Sequence, residues 1–384
     1  MEDWKRQASL AIIGGGIMGV CLAFHLARRG ARDVILLEKD LLAQASTGLC
    51  AGGVRQQFSH PSNIKLSQET VRLFERFADE FGQEINFRQV GYLFLAQREE
   101  TWEEFLSSVE IQRKLNVPVE VLSPEEIKER WPYLEVNDIR GGTFCAEDGY
   151  ADPYLVAMAF AQRARELGVK IFEKTKVVGI RIERGKVKGI ETSRGAIEVS
   201  KVVDVAGPWA GEVARMAGLE LPVLPFRRQV FVTAAFDSIP HPVPMIIDMD
   251  IYFYFRGDPP GLLMGMSDRS EPSSFNTNVD WNFLEKVIEK AIHRAPLLEK
   301  ARILRGWGGL YEITPDENPI IGAIPEVEGF FCAIGFSGHG FQHGPSVGRV
   351  LSELILEGKT DFDLSPFAYD RFQKKREGGE KKAV

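Results

Sequence analysis

Three glycines near the start of the chain have the spacing of a dinucleotide-binding loop. Gly14, Gly16 and Gly19 follow one apolar segment, and a second apolar segment, 34–37, ends at Glu38. The first glycine permits a tight turn, the second lets backbone N–H groups approach a pyrophosphate, and the third lets a helix pack against the strand. An acid at the position of Glu38 suits an adenosine ribose and repels a 2′-phosphate. The pattern therefore predicts a site for FAD or NAD, and not for NADP.

The composition narrows the class of protein. The chain has 384 residues, a length that suggests two domains or one domain inserted into another. Its 44% hydrophobic and 26% charged residues are typical of a soluble globular protein, and no apolar run predicts a membrane span. A net charge of −7 disfavours a nucleic-acid partner. Because the glycine loop follows too soon for a cleavable signal, we expect a cytoplasmic location.

A metal site is not predicted. The four cysteines lie far apart and form no Cys-x-x-Cys pair, which disfavours a metal cage or an iron–sulfur cluster. His339 and His343 are four residues apart, as in some helical metal sites, but no glutamate or third ligand accompanies them. We therefore expect both histidines to have other roles.

Hydrophobic periodicity separates helices from strands along the chain. Apolar residues over 64–81 recur every three or four positions and predict a helix, whereas those over 87–96 alternate and predict a strand. Residues 44–55 are rich in small side chains and predict a loop laid along a ligand. The apolar strand at 201–209 is expected to join the first strand in one sheet. Further predicted elements are strands at 169–172, 176–182 and 329–335, a hairpin over 186–199, and helices at 153–168, 281–294 and 345–356.

Several separated segments resemble the D-amino-acid-oxidase-like flavoproteins, in the same order along nearly the whole chain. The segments are the first glycine loop with Glu38, and then 148–153, 205–209, 314–322 and 335–341. Residues 52–58 narrow the resemblance to proline dehydrogenase β subunits and sarcosine oxidase β subunits, which oxidise secondary amino acids. The resemblance implies FAD bound across a first domain and substrate bound under the β-sheet of a second.

The implied fold class is α/β with an α+β second domain. It consists of a Rossmann-type FAD-binding domain with an inserted antiparallel-sheet substrate domain. The discontinuous FAD-binding domain is expected to take in residues 1–86, 141–220 and 299–373. Residues 87–140 and 221–298 are expected to form the substrate domain, and 374–384 a flexible tail.

The resemblance implies an FAD site built from both glycine-rich segments. Backbone N–H groups of residues 338–341 are expected to face the flavin edge that gains negative charge on reduction. Monomeric sarcosine oxidases link the flavin to a cysteine where this chain has Gly309, so FAD is expected to be non-covalent. The residues expected to contact FAD are Gly14, Gly16, Ile17, Met18, Gly19, Glu38, Lys39, Ser46, Thr47, Ala51, Gly52, Gly53, Val177, Ala206, Gly207, Trp209, Leu310, Gly338, His339, Gly340, Phe341 and Gln342.

Four residues are candidates for the substrate end of the site. An amino acid carboxylate suits the fork of an arginine, for which Arg55 is the first choice and Arg256 the second. Tyr252 occupies the place of a tyrosine that lies over the substrate in the resembling oxidases. Gln342 replaces a lysine that follows their Gly-His-Gly-Phe segment, so one carboxylate-binding charge is missing. Either arginine could instead be a surface or domain-joining residue, and Tyr252 a core aromatic.

The expected function is that of an FAD-dependent amino acid dehydrogenase or oxidase. It would transfer hydride from the amine carbon of a small secondary amino acid, such as L-proline or sarcosine, to flavin N5 and leave an imine. Leu263 stands where the oxidases carry a lysine that assists oxygen reduction, which favours a dehydrogenase. Electrons would then leave to oxygen, a quinone or a partner α subunit. The alternatives are a glycine or D-amino acid oxidase, a 2-hydroxy acid dehydrogenase, and a flavin-bearing electron-transfer subunit without its own substrate.

Overall fold

The structure is a computed structural model that describes residues 5–372 of the chain. Its strands are β1 (Leu10–Ile13), β2 (Val34–Leu37), β3 (Gly53–Val54), β4 (Tyr92–Ala96), β5 (Val119–Leu122), β6 (Gly141–Cys145), β7 (Gly149–Tyr150), β8 (Lys170–Phe172), β9 (Val177–Glu183), β10 (Lys186–Thr192), β11 (Gly195–Glu198), β12 (Val202–Asp204), β13 (Leu224–Thr233), β14 (Met245–Asp248), β15 (Phe253–Asp258), β16 (Gly261–Met266), β17 (Ile303–Ile313), β18 (Ile320–Ala323) and β19 (Phe330–Ile334). Its α-helices are α1 (Ile17–Arg28), α2 (Ser46–Leu49), α3 (Pro61–Glu75), α4 (Phe77–Phe81), α5 (Glu99–Lys114), α6 (Pro124–Arg130), α7 (Pro153–Glu166), α8 (Ala210–Met216), α9 (Trp281–Arg294) and α10 (Gly340–Glu357). The predicted tail, 374–384, lies outside the described residues.

A six-stranded sheet holds the first glycine loop. Its order is β18-β19-β12-β1-β2-β8, and every pairing except that of β18 with β19 is parallel. The central strands β1 and β2 are buried along their whole length, as parallel strands covered on both faces require. Helices α1, α7 and α10 pack on one face, and α8 with the hairpin strands β9, β10 and β11 covers the other. The strand at 202–204 joins β1, as its sequence predicts.

Helices α1 and α10 run parallel, and glycine residues of α10 let the two helices pack closely. A Cβ on Gly344 would lie 2.7 Å from the Ile17 side chain, and one on Gly348 would lie 2.8 Å from the backbone carbonyl carbon of Cys21. The second contact lies about one turn further along both helices, at Cys21 of α1 and Gly348 of α10. The two helices therefore point in the same direction. Since Ile17 opens α1 while Gly344 follows the first turn of α10, α10 begins about one turn earlier. The two N-termini therefore open side by side at the carboxyl end of β1.

An eight-stranded sheet forms the second layer. Its order is β17-β13-β16-β15-β14-β4-β6-β5, and its pairings are antiparallel except for that of β14 with β4. Apolar residues of its outer face pack on Phe283, Val287 and Ala291 of α9. The inner face is turned toward the six-stranded sheet. A parallel Rossmann-type sheet beside a mainly antiparallel one confirms the predicted fold class.

The structure differs from the sequence prediction at several places. Strands β6 and β17 pair within the eight-stranded sheet, although the predicted boundaries assign 141–220 and 299–373 to the FAD-binding domain. Helix α10 includes Pro345 and begins five residues before the predicted start at 345, so the glycine segment itself forms the helix N-terminus. Residues 44–55, predicted as a loop, contain the one-turn helix α2 and the short strand β3. None of the helices within residues 5–372 combines the length and the apolar composition that a membrane span requires.

Candidate active site

A cleft of about 790 Å³ lies between the six-stranded sheet and the inner face of the eight-stranded sheet. Its volume falls within the range of about 300–1,000 Å³ typical of small-molecule and cofactor sites. Of the residues predicted to contact FAD, those that line the cleft are Gly14, Gly16, Ile17, Met18, Glu38, Lys39, Ser46, Thr47, Ala51, Val177, Ala206, Gly207, Trp209, Leu310, Gly338, Gly340 and Phe341. Within the described residues, the predicted residues outside this lining are Gly19, Gly52, Gly53, His339 and Gln342.

The first glycine loop leaves the N-terminus of α1 open to the cleft. Gly14 has φ +118°, and a Cβ there would lie 2.4 Å from the carbonyl oxygen of Val205. Gly19 must lack a side chain for a different reason, since a Cβ there would collide with the carbonyl oxygen of Gly14. The N–H of Ile17 donates to the Thr47 hydroxyl at 3.0 Å. The helix end thus presents backbone N–H groups, the arrangement that binds phosphate.

Glu38 and an aromatic stack border one end of the cleft. The two carboxylate oxygens of Glu38 accept hydrogen bonds from the N–H groups of Gly15, at 2.7 Å, and Asp40, at 2.8 Å. Nearby, the Lys39 ammonium lies 3.2 Å from the ring centroid of Trp209. The Trp209 ring in turn stacks on Phe275, with centroids 5.7 Å apart. Phe275 comes from the segment before α9 and was not predicted, because nothing local in its sequence distinguishes it from other exposed aromatic residues.

The N-terminus of α10 opens on the same cleft. Gly338 has φ +96°, and a Cβ there would lie 2.5 Å from the Tyr311 ring. Gly338, Gly340 and Phe341 all line the cleft. A helix N-terminus carries a partial positive charge, so it stabilises negative charge that develops beside it.

The two predicted arginines are both committed to protein contacts. Arg55 is 5% exposed, donates to the carbonyl oxygen of Gln57 at 2.7 Å, and hydrogen-bonds His339 at 2.9 Å. Arg256 donates from Nε to the carbonyl oxygen of Ala51 at 2.9 Å and forms an ion pair with Asp258 at 3.1 Å. Of the described residues, those that line the cleft do not include either arginine. The alternative of a domain-joining role suits Arg256, which connects β15 to the loop before β3.

Gln342 lies next to Arg55 and fixes its backbone. The Gln342 side-chain oxygen accepts a hydrogen bond from the Arg55 N–H at 2.6 Å. Gln342 is 3% exposed. The structure therefore brings these two predicted site residues together, but beneath the cleft surface and not on it.

Tyr254, and not the predicted Tyr252, lines the cleft among the described residues. Tyr252 lies in the turn before β15 with φ +56°, and the Arg269 guanidinium lies 4.8 Å from its ring. The strand begins only at Phe253, so the inward alternation starts with Tyr254. Gly265 on the neighbouring strand provides space for this ring, because a Cβ there would lie 2.5 Å from the Tyr254 hydroxyl.

Among the cleft residues that the sequence analysis missed are three side chains of the eight-stranded sheet. They are Arg228 on β13 and Tyr311 and Glu312 on β17. The guanidinium carbon of Arg228 lies 5.3 Å from the Tyr311 ring centroid. A signal existed for Arg228, since it alternates with the buried Val230 and Val232 on one strand face. An arginine at an inward-facing position of such a series indicates that this face of the strand does not border only the hydrophobic core.

Glu312 gives the protein without FAD a predictable pH dependence. Burial raises the pKa of Glu312 to about 7, and within residues 5–372 its Oε2 oxygen accepts no hydrogen bond. Burial also raises the pKa of the neighbouring Asp204. The folded protein disfavours the ionised form of the Glu312 carboxyl. The free energy of unfolding is therefore highest below pH 4.5, where Glu312 is protonated, and falls as the pH rises through 7.

We expect the free energy of unfolding to decrease less with rising pH in Glu312→Gln than in the unaltered protein, by about 3 kcal/mol. Urea unfolding of the FAD-free protein at pH 5 and pH 8 measures it. An unchanged difference between the two pH values in the variant would contradict the assignment.

Comparisons with known proteins agree with this geometry. Residues 9–354 match the family described as "DAO: FAD dependent oxidoreductase". The solved structure of L-proline dehydrogenase from P. horikoshii is 34% identical, matches 97% of this chain and 100% of its own, and has a TM-score of 0.90. Glycine oxidase from Geobacillus kaustophilus is 26% identical, with 96% and 99% covered and a TM-score of 0.85. Mitochondrial dimethylglycine dehydrogenase from Rattus norvegicus is 33% identical over 97% of this chain and 46% of that protein.

A Rossmann-type sheet with helix N-termini open on a shared cleft is the architecture of a dinucleotide-binding protein. The chain belongs to the DAO family of FAD-dependent oxidoreductases, which confirms the resemblance found in the sequence. It spans about half the length of the mitochondrial dimethylglycine dehydrogenases that it matches.

Proposed function

We propose that the chain is an FAD-dependent dehydrogenase that oxidises the amine carbon of a small secondary amino acid, with L-proline and sarcosine as leading substrates. One observation carries the proposal: the cleft end opened by α10 is walled by Arg228, Tyr254 and Tyr311. A cation and two phenol rings suit a small amino acid with an anionic end and an apolar body. The likeness to L-proline dehydrogenase along its full length supports the same substrate class.

The cleft residues fit FAD. The N-terminus of α1 would hold the pyrophosphate, Glu38 the adenosine ribose, and the N-terminus of α10 the ring edge. Bound FAD supplies the two-electron acceptor that takes hydride. We propose non-covalent binding, because Gly309 lines the cleft where a linking cysteine would be needed. Cys50 also lines it, but burial raises the pKa of this thiol to about 11, which keeps it protonated at neutral pH.

The protein groups at the proposed substrate end orient the substrate and exclude water. Burial raises the pKa of Tyr254 and of Tyr311, so both phenols stay protonated at neutral pH. Neither acts as a base, and the proposed reaction needs none when the substrate amine enters in its neutral form. The contribution of the chain is positioning and electrostatic stabilisation at the helix end.

The surroundings of Leu263 favour a dehydrogenase over an oxidase. Leu263 is 2% exposed and packs with Val230 and Val232 on the inner face of the sheet. No cation stands at the position of the oxidase lysine, so slow reaction with oxygen is expected. Electrons would then pass to another acceptor, for which a partner α subunit is one candidate. That partner and the cytoplasmic location remain predictions of the sequence alone.

An anaerobic titration tests the proposal. We expect L-proline or sarcosine to bleach the flavin absorbance of the purified yellow protein, because the substrate reduces FAD. Readmitted air should restore the band slowly, and acid precipitation should release all of the flavin into the supernatant.

Other outcomes of this titration decide between the alternatives. Bleaching by 2-hydroxy acids but by no amine would establish the hydroxy acid reaction instead. Absence of bleaching with every substrate would support an electron-transfer subunit. Rapid recovery in air would overturn the dehydrogenase assignment, and a yellow acid precipitate would overturn non-covalent binding.

A further inference from the structure

Arg228 lies on the inner face of the eight-stranded sheet, at the wall of the cleft. It sits on β13 opposite Gly309 of β17, and the two residues both line the cleft. The next inward residue on the same strand, Val230, also lines it. Tyr311 contacts the guanidinium from β17, with 5.3 Å between the guanidinium carbon and the ring centroid. The cation is therefore positioned at the same end of the cleft as the two tyrosines and the N-terminus of α10.

Arg228 lacks an anionic partner within residues 5–372. One of its terminal nitrogens donates to the carbonyl oxygen of Arg227 at 2.9 Å, and its Nε donates to no acceptor. Glu271, one of the acids whose charge acts on Arg228, is bound in a bidentate pair by Arg227 at 3.0 Å. Burial lowers the pKa of Arg228. A partly buried guanidinium with an unused donor is unfavourable unless a ligand supplies the missing acceptor.

The two arginines predicted for the substrate site are held by other groups of the protein. Arg256 binds the carbonyl oxygens of Ala51 and Gly257 and the carboxylate of Asp258. Arg55 lies between Phe58 and Phe94 and hydrogen-bonds the backbone of Gln57. Their contacts join loops to strands, and neither guanidinium reaches the cleft lining of the described residues.

We propose that Arg228 binds the carboxylate of the substrate and is the residue that selects amino acids over simple amines. This assignment rests on the proposed function for the identity of the substrate. The planar guanidinium matches both carboxylate oxygens, and the charge of the ligand supplies the partner that the protein omits. The adjacent rings of Tyr254 and Tyr311 would then contact the apolar part of the same molecule.

The test uses the FAD-loaded protein and tetrahydrofuran-2-carboxylate, a proline analogue in which oxygen replaces the amine so that the imine cannot form. Its binding is followed by the perturbation of the flavin absorbance. We expect Arg228→Gln to raise the Kd at least tenfold with unchanged flavin content, and Arg228→Lys to recover part of the loss. Arg227→Gln is the matched control, because the neighbouring arginine belongs to a protein ion pair, and its Kd should match that of the unaltered protein.

The outcomes separate this assignment from the proposed function. An equal Kd in Arg228→Gln and the unaltered protein, or an equal increase in Arg227→Gln, would overturn the role of Arg228. Failure of the unaltered protein to bind the carboxylate would overturn it as well. If the analogue binds through Arg228 but no amino acid bleaches the flavin, the proposed oxidation fails while the carboxylate site stands.

Discussion

Replacing Gly14 with alanine is expected to abolish FAD binding. Gly14 has φ +118°, and the added Cβ would lie 2.4 Å from the carbonyl oxygen of Val205, so the loop must move. The displaced backbone includes the N–H groups at the start of α1 that would hold the pyrophosphate. We expect colourless protein with a free energy of unfolding lowered by about 3 kcal/mol or more, from backbone strain and overpacking together. Flavin content and urea unfolding measure the two effects.

Gly30 provides the matched control at the other end of the same helix. It has φ +88°, and a Cβ there would meet no atom within 4 Å. Gly30→Ala therefore carries backbone strain of about 1 kcal/mol without a collision and should remain yellow. Full flavin content in Gly14→Ala would contradict the role assigned to the loop.

Replacing Arg294 with methionine is expected to lower the free energy of unfolding by about 3–5 kcal/mol. Arg294 and Asp248 are both fully buried, and their ion pair has a distance of 2.7 Å. Arg294 also pairs with Asp138 at 2.9 Å. Removing the cation leaves the Asp248 carboxylate buried without an opposite charge, with only Gln97 and backbone N–H groups donating to it. Because the other carboxylate oxygen of Asp248 accepts from the N–H of Asp250, in the turn before Tyr254, we expect weaker substrate turnover too.

Two control variants test the cause of this loss. Arg294→Met with Asp248→Asn removes both charges and should recover a large part of the stability, since no buried carboxylate is left. Arg163→Met breaks an exposed pair with Glu166 and should cost less than about 1 kcal/mol. Equal losses in the single and double variants would show that packing, and not the uncompensated charge, dominates.

The phosphate end of the cleft was predictable because its determinants are local. The spacing of Gly14, Gly16 and Gly19, with an acid at the end of the next strand, defines a strand, a turn and a helix within a short segment. Such a pattern survives small errors in element boundaries. The predicted residues of this loop accordingly line the cleft, with Gly19 behind them against Gly14.

The substrate end depends on strand register and long-range pairing, which a single sequence does not specify. Tyr252 and Tyr254 are two residues apart and would face the same side of a continuous strand. The chain turns at Tyr252, however, and only Tyr254 lies in the strand. Arg228 meets Tyr311 only because β13 pairs with β17, more than seventy residues further along the chain. Arg55 was favoured for its position in a loop, whereas its burial follows from Phe58, Phe94 and His339, which the sequence does not place beside it.

The parallel contact of α1 with α10 has an electrostatic consequence. Two helices that begin side by side bring two partial positive charges of about half a unit to one place, where they repel each other. Bound FAD would relieve this repulsion, because its diphosphate supplies negative charge at the α1 end. Cofactor loading should therefore raise the melting temperature more than its contact area alone suggests, and low salt should widen the gap between empty and loaded protein.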